Sequence, residues 1–345
     1  MKTNPYSLMF GKEPNQMISR NVQLNTITDA FLAESPSQQV FIITGVRGSG
    51  KTVLMTEAAK RIGAQKDWIT LELNPERDML ESLASKLSSD STLAKIFQSA
   101  KINLSFWGLG LEVTGTAPVT DIETALDKML SSLKKRKKRI LITIDEAANT
   151  RYMKVFISAF QILLRKDLPI FLLMTGLYEN ISSLQNEKTL TFLYRAPKIE
   201  TKPLNIGSIA DNYAKVVGVD PQTALEMARL TQGYSFAFQV LGYFAWKEAA
   251  YTESVRKEFK QYLEDYAYEK IWSELSEKDK QVAYSIAITK TGKISDIRKQ
   301  LNMETNQFNP YRARLMRKGL IDGSTHGYIH FTLPLFDEYI IENYL

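Results

Sequence analysis

Short apolar runs alternate with helical patterns over the first two hundred residues. Four runs rich in branched and aromatic side chains cover residues 39–44, 67–73, 139–144 and 169–175. Each is nearly continuous in its apolar residues, which is typical of central strands buried on both faces. Segments with helical spacing separate the runs. The pattern therefore predicts an α/β domain in which helices cover both faces of a parallel sheet.

The pattern changes to helices from about Asn205. Four helical patterns follow one another up to residue 272. Pro221 stands at the start of the second and Gly233 at its end, the positions that these residues favour at helix ends. We therefore expect an α/β domain over residues 1–204 and a helical lid over residues 205–272.

A third unit is predicted over residues 273–345. It begins with a helical pattern and continues with a short helix capped by Ser295. A basic helix through Arg317 follows, and then two short strands on either side of residues 322–327. Helices followed by such a hairpin are typical of a winged-helix domain, with the turn at 322–327 as the wing.

Residues 102–114 interrupt the α/β pattern. Apolar and polar residues alternate at both ends of the segment around a glycine-rich middle, which predicts a β-hairpin with Phe106 and Trp107 at its tip. Two roles are open for these aromatic side chains: contact with a partner or DNA, and packing within the domain.

Composition excludes several classes of protein. The 345 residues are 44% hydrophobic and 24% charged, as expected for a globular chain of two or three domains. There is no cysteine, which excludes disulfides, thiolate metal sites and cysteine nucleophiles. No apolar run approaches the ~20 residues that span a bilayer, and the start lacks the apolar core of a secretory signal. We expect a cytoplasmic protein without a membrane partner.

Charge permits a polyanionic partner without requiring one. Lys and Arg number 44 against 38 Asp and Glu, which gives a net charge of +6. Six consecutive cations, residues 134–139, precede a predicted strand, where a solvated loop, a nuclear signal and a nucleic-acid contact are all open. The two histidines, His326 and His330, fall in a predicted strand region, which disfavours a helical metal pair.

A glycine-rich loop between a predicted strand and a predicted helix carries the strongest chemical signal. Its residues match the pattern G-x-x-x-x-G-K-[ST], whose backbone N–H groups surround phosphates. Lys51 would reach the β- and γ-phosphates of a nucleotide, and the hydroxyl of Thr52 would bind Mg²⁺. The predicted phosphate loop consists of Gly45, Val46, Arg47, Gly48, Ser49, Gly50, Lys51 and Thr52.

Polar residues end the next two long strands. Asp145 and Glu146 follow the strand at 139–144, where Asp145 would bind Mg²⁺ and Glu146 would polarise the attacking water. Thr175 ends the following strand and would lie beside Asp145 if the two strands are neighbours. A hydroxyl there could contact the γ-phosphate or the water.

The basic helix of the third unit has the pattern of a recognition helix. Four cations fall within seven residues, and apolar positions beside them can face a core. DNA contacts are predicted for Tyr311, Arg312, Arg314, Arg317 and Lys318. The third unit carries nearly as many acidic as basic residues. Docking of a protein partner is therefore an open alternative.

Together these motifs resemble an AAA+ ATPase of the archaeal origin-recognition and cell-division-control initiator branch, and more closely bacterial ATP-binding proteins with the same order of domains. The opening is similar to that of the family, with Asn4-Pro5-Tyr6, Phe10-Gly11 and Ser19-Arg20, although Ser19 stands where the family commonly has Gly. In the family this segment folds over the adenine. The resemblance thus implies that Arg20 binds nucleotide and that the nucleotide is ATP, which agrees with the lack of the guanine-reading pattern Asn-Lys-x-Asp.

The resemblance implies two further features. Thr175 is similar to the residue called sensor 1, and Arg195, 20 residues later, stands where the superfamily often places an arginine finger that acts on the nucleotide of a neighbouring subunit. Lids of this superfamily usually carry a sensor 2 arginine at the start of a helix, whereas residues 233–239 contain no arginine. The implied partners are ATP or ADP, double-stranded DNA and a second copy of the chain.

Three functions follow from these features. The first is a DNA-associated ATPase whose nucleotide state controls assembly. The second is a nucleotide-gated signalling switch whose C-terminal unit docks a protein, which the missing lid arginine favours. A metabolic kinase is disfavoured, because the C-terminal units offer no evident site for an acceptor substrate.

Overall fold

The computed structural model describes residues 3–9 and 14–344 and divides the chain into two compact units. The sheet unit consists of Asn21–Thr44 and Leu54–Glu200. The lid unit consists of Gly45–Val53, Thr201–Leu345 and the described part of Met1–Arg20. The division into three domains at residues 204 and 272 remains a prediction.

The first two hundred residues form a parallel sheet with helices between the strands. In chain order the elements are α1 (Asn21–Leu32), β1 (Val40–Thr44), α2 (Lys51–Gly63), β2 (Trp68–Glu72), α3 (Met79–Ser89), α4 (Ser91–Ser99), α5 (Ile122–Lys135), β3 (Arg139–Ile144), α6 (Arg151–Arg165), β4 (Ile170–Gly176), α7 (Tyr178–Gln185) and β5 (Lys198–Glu200). Short 3-10 turns occur at Ser105–Trp107 and Thr191–Arg195.

The five strands lie in the order β2-β3-β4-β1-β5, and all neighbours are parallel. This confirms the predicted parallel sheet. β2 is an edge strand rather than a central one. Within it Trp68 is buried, whereas Thr70 and Glu72 are exposed. β5 was not predicted from the sequence, since only its middle residue, Ile199, is apolar.

Helices cover both faces of the sheet, as the continuous apolar runs predicted. Alternate residues of β1 point to opposite faces. Phe41 and Ile43 pack with α1 and α2, whereas Val40 and Ile42 pack with α3 to α7. The carboxyl ends of the central strands are thereby fixed at one edge of the sheet.

The predicted hairpin at residues 102–114 is wrong. The segment is a loop that contains the 3-10 turn Ser105–Trp107. Buried Asn103 holds this loop together. Its side-chain amide donates to the carbonyl of Thr116 at 2.7 Å, and its main-chain carbonyl accepts from Val119 N–H at 2.9 Å. Both glycines of the segment, Gly108 and Gly110, have positive φ, which bends the chain where paired strands would be extended. Phe106 is exposed.

The rest of the lid unit is mainly helical. Its elements are α8 (Ile206–Val216), α9 (Pro221–Leu230), α10 (Ser235–Glu248), α11 (Glu253–Leu263), a π-helical turn (Glu264–Tyr268), α12 (Glu269–Ser273), α13 (Glu277–Ile288), α14 (Ile294–Leu301), α15 (Thr305–Arg317), β6 (Ile321–Asp322), β7 (His330–Phe331) and α16 (Phe336–Asn343). Pro221 begins α9 behind the cap residue Asp220, as predicted. The last of the four helical patterns predicted up to residue 272 is interrupted by the π-helical turn.

The C-terminal elements follow the predicted order of helices and a two-stranded sheet. β6 and β7 are antiparallel, and Asp322 pairs with His330. Ser295 does not cap α14, because the helix begins one residue earlier, at Ile294. The classification of these elements as a winged helix remains a prediction. Within residues 3–9 and 14–344, every helix is too short or too polar to cross a membrane.

Candidate functional site

The predicted phosphate loop connects the end of β1 to the first turn of α2. Gly48 and Gly50 have φ values of 69° and 87°, a left-handed conformation that glycine adopts without the cost of a Cβ atom. Lys51 is the first residue of α2, and its Nζ donates to the carbonyls of Gly45 at 3.1 Å and Val46 at 2.8 Å. Strand, glycine-rich loop and helix thus follow one another as the motif requires.

Ser49 fixes the middle of this loop. Its hydroxyl donates to the carbonyl of Val46 at 2.8 Å and lies 2.7 Å from the hydroxyl of Thr201. Only 5% of Ser49 is exposed. The hydroxyl of Ser49 therefore stabilises the loop from within, and the main-chain carbonyl of Ser49 is left to accept hydrogen bonds from other segments.

The start of α10 lies against three successive carbonyls of the loop. The hydroxyl of Tyr234 donates to Arg47 O at 2.7 Å. The main-chain N–H of Phe236 donates to Gly48 O at 3.0 Å, and the hydroxyl of Ser235 donates to Ser49 O at 3.0 Å. Burial raises the pKa of Tyr234, so its hydroxyl remains a donor. The start of α10 therefore holds the loop by donating to the loop's main-chain carbonyls.

Arg20 joins the same loop from the N-terminal segment. Its guanidinium donates to Ser49 O at 2.9 Å, to Ser235 Oγ at 3.0 Å and to Lys202 O. Burial lowers the pKa of Arg20 to about 10, which still leaves the side chain charged at neutral pH.

The opening segment is held by helices of the lid unit. Asn4 Nδ2 donates to Tyr243 O at 3.0 Å, and the hydroxyl of Tyr6 donates to Asn212 Oδ1 at 2.7 Å. The ring of Tyr6 is buried. Phe10 and Gly11, which belong to the same predicted segment, lie outside the described residues.

Asp145, Glu146 and Thr175 come together at the carboxyl ends of β3 and β4. β3 pairs with β4, which is the condition under which Thr175 was expected to lie beside Asp145. The hydroxyl of Thr175 donates to Asp145 Oδ1, and the main-chain N–H of Glu146 donates to Thr175 Oγ1 at 3.2 Å. Thr175 is fully buried, whereas the side chain of Glu146 is exposed. Glu146 has a φ of 53°, a left-handed conformation that is uncommon for this residue.

Tyr178, which the sequence did not reveal as a site residue, also lies at the carboxyl ends of the strands. Burial raises the pKa of Tyr178, and the charge of Glu200 raises it further; its hydroxyl also interacts with Thr44 at the end of β1. β1 lies between β4 and β5, so the ends of β1 and β5, Thr44 and Glu200, are neighbours. Recognition of β5 in the sequence would therefore have drawn attention to Tyr178, which interacts with both.

A second missed group follows the two carboxylates along the chain. Asn149 Nδ2 donates to Ser183 Oγ and to Glu187 Oε1, both at 2.9 Å. Lys154 forms an ion pair with Glu187 at 2.8 Å. These contacts tie the segment after Glu146 to α7. Sequence alone offers no signal for them, because they join residues that are more than thirty positions apart.

Arg195 ends the 3-10 turn Thr191–Arg195, and its side chain is exposed. The hydroxyl of the neighbouring Tyr194 donates to Asn186 Oδ1 at 3.0 Å. The arginine is thus presented on the surface of the sheet unit.

The predicted DNA-binding residues of α15 differ in their surroundings. Arg314 Nε donates to both carboxylate oxygens of Asp279, at 2.8 and 2.9 Å, and its guanidinium lies over the half-buried ring of Tyr311. Arg312 donates to Gly323 O at 3.4 Å. The side chain of Arg317 is exposed, and it forms no hydrogen bond or ion pair with the rest of the described chain. Lys318 follows at the C-terminal cap of the helix.

Local contacts engage several members of the basic run at residues 134–139. Arg139 donates to the carbonyls of Phe31 and Ala33 at the end of α1, at 3.2 and 2.8 Å. Lys134 pairs with Asp167 at 2.6 Å. Lys134 belongs to the last turn of α5 and Arg139 is the first residue of β3, so these two cations of the run have partners within the sheet unit.

The two histidines lie apart from any group of metal-ligating side chains. His330 Nε2 lies 3.5 Å from Asp322 Oδ2 across the small sheet. Over residues 3–9 and 14–344, His, Asp and Glu form no cluster of three or more that could bind a metal ion by themselves.

Comparisons with known proteins match both parts of the chain. A family model described as "ATPase domain predominantly from Archaea" matches residues 18–190, and a model described as "Domain of unknown function (DUF8462)" matches residues 265–340. No curated protein matches the chain significantly.

A solved structure of low sequence identity has the same fold. A Walker-type ATPase of Pyrococcus abyssi is 16% identical, with a TM-score of 0.63 over 94% of this chain and 96% of that one. Cdc6p of Pyrobaculum aerophilum is 15% identical, with a TM-score of 0.48 over 98% of this chain and 97% of that one.

Proposed function

Because the chain belongs to the family of ATPase domains that occur predominantly in Archaea, we propose that it binds ATP together with Mg²⁺ and hydrolyses it. The geometry of the phosphate loop is the observation that carries this proposal. Two glycines with left-handed backbones lead into the N-terminus of α2, where N–H groups and the helix dipole favour phosphate.

The proposal gives each polar residue a role. Lys51 binds the phosphates, while the hydroxyl of Thr52 and the carboxylate of Asp145 hold Mg²⁺, which prefers such oxygen ligands. When bound, Mg²⁺ neutralises charge on the phosphates. Glu146 polarises the attacking water, and Thr175 fixes the carboxylate of Asp145 through its hydrogen bond.

ATP binding and hydrolysis are tested with the full chain. Lys51→Ala should lose ATP affinity, whereas Glu146→Gln should keep it and lose hydrolysis. Arg61→Ala is a matched control for loss of a cation on α2, since Arg61 is an exposed partner of Glu57. A wild-type protein that binds no ATP would overturn the proposal.

The exposed position of Arg195 supports a role on the nucleotide of a second copy of the chain. Arg195→Ala should then lower hydrolysis only under conditions in which the wild type self-associates. Ultracentrifugation beside turnover measurements tests this. An equal loss of activity in the monomer would contradict a role in trans.

We further propose that the C-terminal unit, residues 273–345, contacts double-stranded DNA through α15. Arg317 supports this proposal, since it is exposed and engaged by no other described residue. The contact is expected to be electrostatic, with phosphates as its main target.

Fluorescence anisotropy of a labelled duplex at two salt concentrations, with and without ATP and Mg²⁺, tests DNA binding. Arg317→Ala should weaken binding and reduce the salt slope by about 1. The control is Arg229→Ala, an exposed arginine on α9. Salt-insensitive binding, or equal effects of the two variants, would contradict the proposal.

One observation favours a second function, a nucleotide-gated switch that docks a protein. Arg314 and Arg312 of α15 are engaged by Asp279 and by Gly323 O of the same unit. Fewer cations therefore remain for DNA phosphates than the sequence predicts. ATP-dependent oligomerisation without affinity for duplex DNA would support this alternative.

A further inference from the structure

Arg20 connects two parts of the lid unit that lie far apart in sequence. One Nη atom is within hydrogen-bonding distance of Ser49 O in the phosphate loop, at 2.9 Å, and of Ser235 Oγ at the start of α10, at 3.0 Å. The other Nη atom donates to Lys202 O. A single guanidinium thus links the loop, the first residue of the lid helix and the segment that precedes α8.

All of these acceptors are uncharged. Within residues 3–9 and 14–344, Arg20 forms no ion pair, and burial is the one cause that lowers its pKa. A half-buried positive charge without a carboxylate is costly, and an anion that enters its surroundings relieves that cost. The charge of Arg20 therefore makes the surroundings of Ser49 favourable for phosphate.

The lid itself supplies no cation at this point. Residues 233–239 contain neither Lys nor Arg, and the side chain that reaches the loop from α10 is the neutral Ser235. Arg20 comes to the same place from a position 215 residues earlier in the chain. It brings the charge that the lid helix lacks.

We propose that Arg20 is a positioning residue that ties the phosphate loop to α10 and transmits the presence of a nucleoside triphosphate to the lid. The inference rests on the proposed binding of ATP. An anion near Ser49 stabilises the charged guanidinium in this position. The bonds of Arg20 to Ser49 O and Ser235 Oγ are then held more firmly, and α10 is ordered with them because Ser235 also donates to Ser49 O.

Three variants of the full chain separate charge from hydrogen bonding. Arg20→Gln removes the charge but keeps donors for the carbonyl and the hydroxyl, whereas Arg20→Lys keeps the charge but loses the fork. Ser235→Ala removes the contact on α10 and leaves the arginine in place. Arg61→Gln is the control, since this exposed arginine of α2 pairs with Glu57.

The measurements are the Kd values of ATP and ADP, the melting temperature without nucleotide, and hydrogen exchange of the amides at 234–240. Arg20→Gln should lose about tenfold or more in ATP affinity and clearly less in ADP affinity. Arg20→Lys should recover part of the loss, and Arg61→Gln should behave as the wild type. ATP should slow exchange at 234–240 in the wild type but not in Arg20→Gln or Ser235→Ala.

Two results would overturn the inference. One is an unchanged ATP affinity of Arg20→Gln. The other is an equal loss for ATP and ADP that Arg20→Lys does not reduce, since this identifies a merely structural contact. If Arg20→Gln does not fold, loss of ATP-dependent protection in Ser235→Ala still decides. If the wild type binds ATP, Lys51→Ala does not, and Arg20→Gln still does, only the role of Arg20 is refuted. A wild type that binds no ATP refutes both this inference and the proposed function.

Discussion

The hydroxyl of Thr175 donates a hydrogen bond to Asp145 Oδ1 across the carboxyl ends of two neighbouring parallel strands. The main-chain N–H of Glu146 donates to the same two side chains, at 3.2 Å to Thr175 and 3.1 Å to Asp145. A buried threonine thus orients both carboxylate residues, one through its side chain and one through its backbone.

Replacement of Thr175 should therefore affect hydrolysis more than binding. Thr175→Val keeps the volume but loses the hydroxyl, and we expect about a 10–100-fold fall in kcat, as for other residues that orient metal ligands. Thr175→Ser is the matched variant and should retain most of the activity. Separate measurement of ATP affinity and of kcat checks this. A large loss of affinity with unchanged kcat would show that Thr175 serves nucleotide binding instead.

The side chain of Glu146 should be needed for turnover and dispensable for folding. Glu146→Gln should lower kcat by about 10²–10⁴-fold, the usual contribution of a general base. Glu146→Gly should unfold at a temperature no lower than the wild type, because glycine accepts a φ of 53° without strain. Thermal melts and single-turnover kinetics test the two statements. Significant activity of Glu146→Gln would remove Glu146 from the mechanism.

Arg314 should matter for stability, whereas Arg317 should not. Arg314→Ala leaves the carboxylate of Asp279 buried without its cationic partner, since only 3% of that side chain is exposed. Loss of one member of such a pair costs about 3 kcal/mol of unfolding free energy. Arg317→Ala changes an exposed side chain and should stay within about 0.5 kcal/mol of the wild type. Urea denaturation of both variants provides the comparison, and equal stability would contradict the structural role of Arg314.

Glu264 should destabilise the fold at neutral pH. Burial raises the pKa of its carboxyl, so the folded protein loses stability as the pH rises through the unfolded and then the folded pKa. The charged groups that act on it are Lys260, which favours its ionised form, and Glu342, Asp265 and Glu338, which oppose it.

Glu264→Gln should accordingly raise the melting temperature at pH 7, and the gain should vanish at pH values below the ordinary carboxyl range. Calorimetry between pH 3 and 8 measures this. Glu277→Gln serves as the control, because 87% of that side chain is exposed. A lower melting temperature of Glu264→Gln at pH 7 would show that its contact with Lys260 outweighs the cost of burial.

Sequence alone predicted the sheet, the phosphate loop and the neighbouring positions of Asp145 and Thr175. These features rest on local patterns, such as continuous apolar runs and a glycine motif. The loop at 102–114 was misread as a hairpin, because its backbone turns at Ser105–Trp107 and at the two glycines that follow, where alternation alone predicts extended strands. β5 was missed because three residues are too few to form a pattern.

The partners of the phosphate loop could not be predicted. Thr201, Tyr234 and Ser235 reach it from positions more than 150 residues away, and no local spacing announces such contacts. The pairing of Arg314 with Asp279 was hidden for the same reason. The sequence identified which side chains are cationic on α15, and the structure showed that Arg314 and Arg312 are already engaged.

The phosphate loop, Gly45–Val53, belongs to the lid unit although it is encoded in the middle of the sheet. A gene fragment that ended at residue 200 would contain every strand of the sheet and both sequence motifs, yet it would lack Thr201 and Ser235, which hold Ser49. Recombination at this point would consequently separate the loop from these contacts. A chimera with a relative's C-terminal half would keep them only if that half carried hydroxyl side chains at both positions.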